Sequence, residues 1–394
     1  MDGPLAGMRV LDLTNYLSGP YCAMLLGDLG AEVIKIENLD GDPSRRAGPP
    51  FINGVSSYFL LLNRNKKSIR LNLKSEDGRD LFFKLVRTAD AIVENFRPGV
   101  ADRLGIGHDH VKRERPEIVY CAISGFGETG PRADQPAFDH VMQGFSGWMS
   151  ITGTPESGPL RTGPSVGDII SGLFATIGVL GALLGRERTG RGQKVATSLL
   201  ESLVATLIPH LSEYLATGIS PAGGGNSHPI LVPFGTFPTA DGFINIAVAS
   251  GEQWQALCRV LGLKQFFGDE ELTNNAGRAK RRDEVHQAIS EATRSRPRND
   301  WLDAFNANGV PCAPINSIAE ALNDPQSVHN QSTVEMDHPV AGRYKTVNNP
   351  LRMDRKSSSE WAYPPLLGEH TSELLAGLGL SAGEIDKLRG KKVI

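Results

Sequence analysis

The sequence predicts an α/β protein: a doubly wound parallel sheet in the first half and a smaller α/β unit beyond it. Three observations carry this. A strand–helix–strand spacing opens the chain, the same spacing recurs before residue 125, and a Gly/Pro-rich break follows residue 217. Met8 to Leu13 (MRVLDL) is a short apolar run, Tyr21 to Leu29 reads as a helix after Gly19-Pro20, and Ala31 to Ile36 is the next strand. Such a unit requires a crossover and therefore parallel strands. A helix over Glu76–Thr88 and strands over Ala91–Val93 and Ile118–Ile123 repeat it.

From Phe138 the pattern turns helical, over Phe138–Met149, Ile169–Leu184 and Thr197–Thr217. The break Gly218–Pro233 then separates domains. After it, Phe234–Ala249 alternates like a hairpin with its turn at Asp241-Gly242, and helices over Gln253–Leu261 and Arg282–Thr293 complete a second unit. Asp337–Pro365 is Pro-punctuated, and short helices over Ser372–Leu388 close the chain. The expected division is 1–217 for a large domain, 218–330 for a linker and small domain, and 331–394 for a segment returning to the large one.

A length of 394 residues exceeds one ordinary core, in keeping with two domains. The net charge of -3 argues against a nucleic-acid binder, whose surface usually carries a basic excess. Cys22, Cys121, Cys258 and Cys312 form no CxxC pair, so they read as reduced thiols of a cytoplasmic protein. Met1-Asp2-Gly3-Pro4 is not the start of a secretory signal. Ile169–Gly185 is uncharged but carries Ser171 and four glycines, and falls short of the roughly 20 apolar residues of a membrane span. A buried helix is expected, with no membrane partner.

Three constellations bear on chemistry. Gly125–Gly130 spells GxGxxG after a strand, but Pro131-Arg132-Ala133-Asp134 follows it and no acidic-ended strand comes about twenty residues on. A glycine turn is favoured over a nicotinamide site, and an NAD-dependent dehydrogenase is a distant alternative. Basic segments recur after strands: Arg45-Arg46, Asn63-Arg64-Asn65-Lys66-Lys67, and Asn95-Phe96-Arg97-Pro98-Gly99 with Arg103. In open α/β sheets such loops converge on one crevice, where cations and amides suit a phosphorylated ligand. Third, Asp168 in Gly167-Asp168-Ile169-Ile170-Ser171-Gly172 stands before the uncharged helix, at its expected N-cap. An Asp there caps a helix for about 1 kcal/mol. The same place suits a nucleophilic carboxylate, with small Gly167 leaving room for substrate. The nine histidines make no metal pair, and no metal site is expected.

At Asp168 the sequence resembles the class III CoA-transferases, also called CaiB/BaiF. The resemblance lies in LDLTNYLSGPYCAMLLGDLGAEVIKIE, NRNKKSI, VENFRPGVADRLG, FDHVMQGFSG, GDIISG, RTGRGQKV, PTADGFINIAV and LLGEHT, in that order along nearly the whole chain. It implies a Rossmann-like large domain built from both chain ends, a small middle domain, and an interlocked homodimer. It implies Asp168 as catalytic residue, and Leu17, Ser18, Asn63, Lys66, Asn95, Phe96, Arg97 and Arg103 as CoA contacts. Phe138 and Asp139 would line the active site, as would the glycine run Gly223, Gly224 and Gly225. Asn38 stands where formyl-CoA transferases place an arginine, so Arg45 or Arg46 is expected to replace it. No permanently bound cofactor is implied: coenzyme A and acyl-CoA are substrates, exchanged with a small carboxylic acid such as succinate. The related α-methylacyl-CoA racemases use a His before the Asp of FDHVMQG; here that residue is Phe138, which cannot exchange a proton.

Overall fold

A computed structural model describes residues 3–353 and 361–394. Residues 354–360 of the Pro-punctuated segment lie outside the described residues. The chain separates into two compact units: Met1–Trp148 with Arg161–Leu207 and Pro325–Ile394, and Met149–Leu160 with Ile208–Asp324. Residues 149–160 and 208–217, expected in the large domain, thus fall in the second unit, and 325–330 in the first. Pro209 explains part of this: it breaks the helix expected over 197–217 into Leu199–Ala205 and His210–Thr217.

The first unit is built on a six-stranded sheet. Its elements are β1 (Arg9–Asp12), α1 (Ser18–Asp28), β2 (Glu32–Glu37), α2 (Ser57–Leu62), β3 (Lys66–Arg70), α3 (Glu76–Val86), β4 (Ala91–Glu94), β5 (Val119–Ser124), α4 (Asp139–Phe145), α5 (Val166–Thr189) and β6 (Lys194–Ser198). The strands run parallel in the order β6-β5-β4-β1-β2-β3, a doubly wound sheet. Alternate residues feed two cores. Leu11 and Ile34 face one with Leu81, Phe82, Leu85 of α3 and Leu375 of the C-terminal return; Val10 and Val33 face the other with α1 and α5. The return segment is tied in by backbone bonds, Asn72 N to Val393 O at 2.8 Å and His370 N to Ser68 O at 3.0 Å.

Two strands of this sheet carry no strand signal in the sequence, and both are its edges. β3 (KKSIR) and β6 (KVATS) are polar, so neither shows the apolar run that marks the inner strands. The hairpin Thr333–His338 with Gly342–Val347 in the return segment is likewise not among the expected elements.

The second unit holds a three-stranded antiparallel sheet of β7 (Phe234–Pro238), β8 (Phe243–Ala247) and β9 (Cys312–Pro314). Helices over Gly251–Leu261, Arg282–Thr293 and Arg298–Ala307 cover it around Phe237, Trp254, Leu257, Ile289 and Phe305.

Candidate active site

Strand order reverses between β1 and β4, the switch point outside which open α/β sheets carry their ligands. β1 ends at Asp12 and runs through Thr14–Leu17 into α1. β4 ends at Glu94 and runs into Asn95–Gly99. Asn95 binds the two loops together: its Oδ1 accepts from Asn15 N at 2.9 Å, and its Nδ2 donates to Asn15 O at 2.9 Å and Ser18 Oγ at 3.4 Å. Buried Glu94 braces the second loop by accepting from Phe96 N at 2.7 Å, and burial pushes its carboxyl up to about 7.

Asp168 enters this cluster from α5. It is not the N-cap: Ser165 holds that position without a side-chain cap bond, and Asp168 is the third helical residue. Its partner is instead Ser18, whose hydroxyl draws the carboxyl pKa part-way down. Burial, and then the charge of Asp139, outweigh that and push Asp168 up to about 7. Asp139 is buried beneath it, with Oδ1 accepting from Gly167 N and Oδ2 from Gln143 Nε2, both at 2.7 Å. The role expected of Gly167 changes accordingly. A Cβ there would stand 3.0 Å from Asp139 Oδ1 and 3.1 Å from Leu203, so its smallness admits Asp139 and the core, rather than substrate. Gly172 does the same toward α1, where a Cβ would meet Ser18 O at 2.6 Å.

Phe138 is 65% exposed, and its ring meets the exposed Tyr16 edge-on at 6.4 Å, which places it against the β1–α1 loop. Tyr16 adopts φ 64°, a left-handed conformation uncommon for such a residue and frequent at functional loops. Tyr58 on α2 was not anticipated. Burial, followed by the charges of Asp168, Asp42 and Asp139, drives its hydroxyl pKa upward, so it faces the same acids. In sequence it reads as one more core aromatic of SYFLLL.

Several anticipated CoA contacts prove to be interior. Lys66 is no loop cation: it opens β3, 2% exposed, with Nζ donating to Asp12 Oδ2 at 2.9 Å, Pro20 O at 3.0 Å and Asn63 Oδ1 at 3.0 Å. Burial lowers its pKa to about 8. Asn63 is wholly buried beside it. Arg45 does not stand free to replace the missing arginine; it forks onto Glu37 at 2.6 and 2.7 Å and lies 3.9 Å over the Phe59 ring. The cations left at the surface are Arg46, Arg97 and Arg103. Arg103 lies against Gly99, where a Cβ would be 3.0 Å from its Nη1, and Val100 N donates to Arg97 O at 3.1 Å, so Arg97 and Arg103 stand on successive turns after half-buried Phe96. Leu17, half-buried, precedes Ser18 on the facing loop. Gly223, Gly224 and Gly225 belong to the second unit, where Gly225 N donates to Gly153 O at 2.7 Å.

Two alternative chemistries lose their residues here. β5 leads into a non-helical stretch, with Gly127 N bonded to Ser124 Oγ at 3.1 Å and the next helix beginning only at Asp139, so Gly125–Gly130 is not a dinucleotide turn. The place of the racemase histidine is held by Phe138, and Asp139 beside it is engaged by Gly167 N and Gln143 Nε2.

Comparison with known proteins gives the family. The profile of CoA-transferase family III matches residues 5–371. The chain belongs to that family. It is 38% identical to the succinyl-CoA:glutarate CoA-transferase of Mus musculus over 99% of this chain and 90% of that one. To the succinyl-CoA:mesaconate CoA-transferase of Haloarcula marismortui it is 36% identical, over 97% of this chain and 98% of that protein. A CaiB/BaiF family protein from Brucella suis superimposes with a TM-score of 0.85 at 35% identity, covering 96% of this chain and all of its own. As a family III CoA-transferase the protein is an enzyme acting on CoA thioesters, and its crevice is to be read with that chemistry.

Proposed function

We propose that this enzyme moves CoA from an acyl-CoA to a short dicarboxylate, with Asp168 as nucleophile. The observation that carries this is Asp168 itself: a partly buried carboxyl at the sheet's switch point, grouped with Ser18, Asn95 and Asp139. The Asp168 carboxylate attacks the donor thioester carbonyl and expels CoA thiolate, leaving a mixed aspartyl anhydride. The thiolate attacks the aspartyl carbonyl of that anhydride, releases the donor acid and leaves an aspartyl-CoA thioester. The acceptor carboxylate then runs the two steps in reverse and departs as its CoA thioester. Covalent catalysis of this kind replaces one hard exchange by easier steps.

Arg97 and Arg103, on successive turns after β4, are the cations proposed for the CoA phosphates, with Leu17, Ser18, Asn95 and Phe96 along the rest of the ligand. Lys66, Asn63 and Arg45 are proposed to shape the crevice from behind. The relatives' glutarate and mesaconate point to an acceptor of that size, with succinyl-CoA as donor. A homodimer working in the cytoplasm completes the proposal. The test is hydroxylamine trapping: wild type incubated with succinyl-CoA should yield a hydroxamate on Asp168, found by peptide mass. A hydroxamate on another residue, or none, overturns the assignment.

A further inference from the structure

Behind the nucleophile stands a side chain that the chemistry above does not use. Gln143 lies on α4, one turn after Asp139, and is wholly buried. Both ends of its amide are engaged. Nε2 donates to Asp139 Oδ2 at 2.7 Å and to Pro164 O at 3.4 Å. Oε1 accepts from Thr162 N at 2.9 Å and Thr162 Oγ1 at 3.1 Å. Asp139 turns its other oxygen to Gly167 N at 2.7 Å. One hydrogen-bonded chain thus runs Thr162–Gln143–Asp139–Gly167 and ends on the backbone N–H of the residue before Asp168.

The first turn of α5 needs such support. Its N-cap Ser165 makes no side-chain cap bond, and first-turn amides have no partner within the helix. Asp139 serves one of them from outside, and a carboxylate left to itself would rotate. Gln143 removes that freedom. Being neutral, it does so without cancelling the Asp139 charge, as a buried lysine or arginine would.

We propose that Gln143 is a positioning residue: by orienting Asp139 it fixes the first turn of α5 and with it the Asp168 carboxylate. This rests on Asp168 being the nucleophile. Two variants of similar size test it. Gln143→Leu loses both hydrogen-bonding ends. Gln143→Glu keeps the acceptor for Thr162 but can donate to Asp139 only while that pair of carboxyls holds a proton, since like charges this close do not both ionise freely.

With succinyl-CoA and glutarate as probes, and rates scaled to CoA-binding sites counted by calorimetry, Gln143→Leu should lose about tenfold or more in kcat at every pH. For Gln143→Glu the ratio to wild type should lie within about threefold at about pH 5.5 and fall about tenfold by about pH 8.5. KM for succinyl-CoA should move less than about threefold in both, because the CoA contacts are untouched. If Gln143→Leu does not fold, the Gln143→Glu pH ratio decides alone. A ratio that is flat in pH for Gln143→Glu, kcat retained in Gln143→Leu, or a loss confined to KM overturns the proposal. Hydroxylamine trapping separates it from the reading beneath it. No Asp168 hydroxamate in wild type sinks the nucleophile. Trapping at the wild-type rate in Gln143→Leu sinks only the positioning role.

Discussion

A carboxyl acting as a nucleophile works only as the anion, and Asp168 sits where the anion is costly. Its pKa stands at about 7 against an ordinary 3.8, from burial first and the Asp139 charge second. Two consequences follow with definite sign. Turnover should rise as pH climbs through about 7, as the anion forms, and a pH–rate profile reads that limb directly. Stability should move the other way. Between 3.8 and about 7 the folded protein holds a proton that the unfolded chain has released, so stability falls as pH rises through that window. Asp168→Asn removes the titrating group, so the variant should melt above wild type beyond the upper end and level with it below the lower. Its kcat should drop about a thousandfold or more, with mass spectrometry excluding deamidation back to Asp. An equal melting difference at both ends would mean that the folded-state pKa is ordinary. The sequence showed Asp168 because its block was distinctive and an uncharged helix followed. It could not show that Asp168 sits within the first turn of that helix rather than at its cap, nor that Gln143 and Tyr58 gather near it, since those contacts join segments distant along the chain.

At the scale of elements, the β1–α1 loop is held from below by charges inside the protein. Lys35 Nζ donates to Thr14 O at 2.7 Å and pairs with Asp42 at 2.9 Å; Asp12 accepts from Thr14 N at 2.9 Å and pairs with Lys66 at 2.9 Å. The Lys35, Lys66, Asp12 and Asp42 side chains have no exposed surface. Desolvation works against the Lys35 charge, yet the acids around it hold its pKa above the ordinary lysine value. Lys35→Met should therefore cost about 3–5 kcal/mol in denaturant unfolding, because it strands buried carboxylates. Adding Asp42→Asn should recover part of that, and a double variant no more stable than the single would show that the pair is not coupled. Gly172→Ala offers a second test. Alanine in a helix interior normally gains about 0.5–1 kcal/mol over glycine, but here the new Cβ would stand 2.6 Å from Ser18 O. The expected sign is a loss of about 1–3 kcal/mol, and a gain would mean that α1 and α5 are free to part. Composition explains what was legible at this scale. Inner strands and α5 announce themselves by apolar runs, whereas β3 is a polar edge strand whose first lysine points into the protein, and so reads as a basic loop.

At the scale of the whole molecule, α5 is apolar on two sides. One side is core: Ser171, Ala175, Val179, Ala182 and Leu183 are buried. The opposite side is apolar too, with Leu173, Phe174, Ile177 and Leu184 exposed by 41, 40, 63 and 63%. Among the described residues it is the one helix long and apolar enough to cross a membrane. A helix that is apolar all round is normally covered all round, and contiguous apolar surface of this kind marks a contact face. Lipid is a poor account of it, because one side of the helix is packed into the core of the parallel sheet. The homodimer proposed above would cover such a face with a matching one, since a two-fold contact presents the same patch from both partners. Light scattering should then give twice the chain mass of 42.4 kDa down to low concentration. Ile177→Glu puts a charge into the centre of the face and should yield monomer, with Asp168 left in place. Flotation with neutral phospholipid vesicles tests the other cover. A protein that floats and scatters as a monomer would place α5 against lipid, and one that stays down as a dimer places it against its own twin.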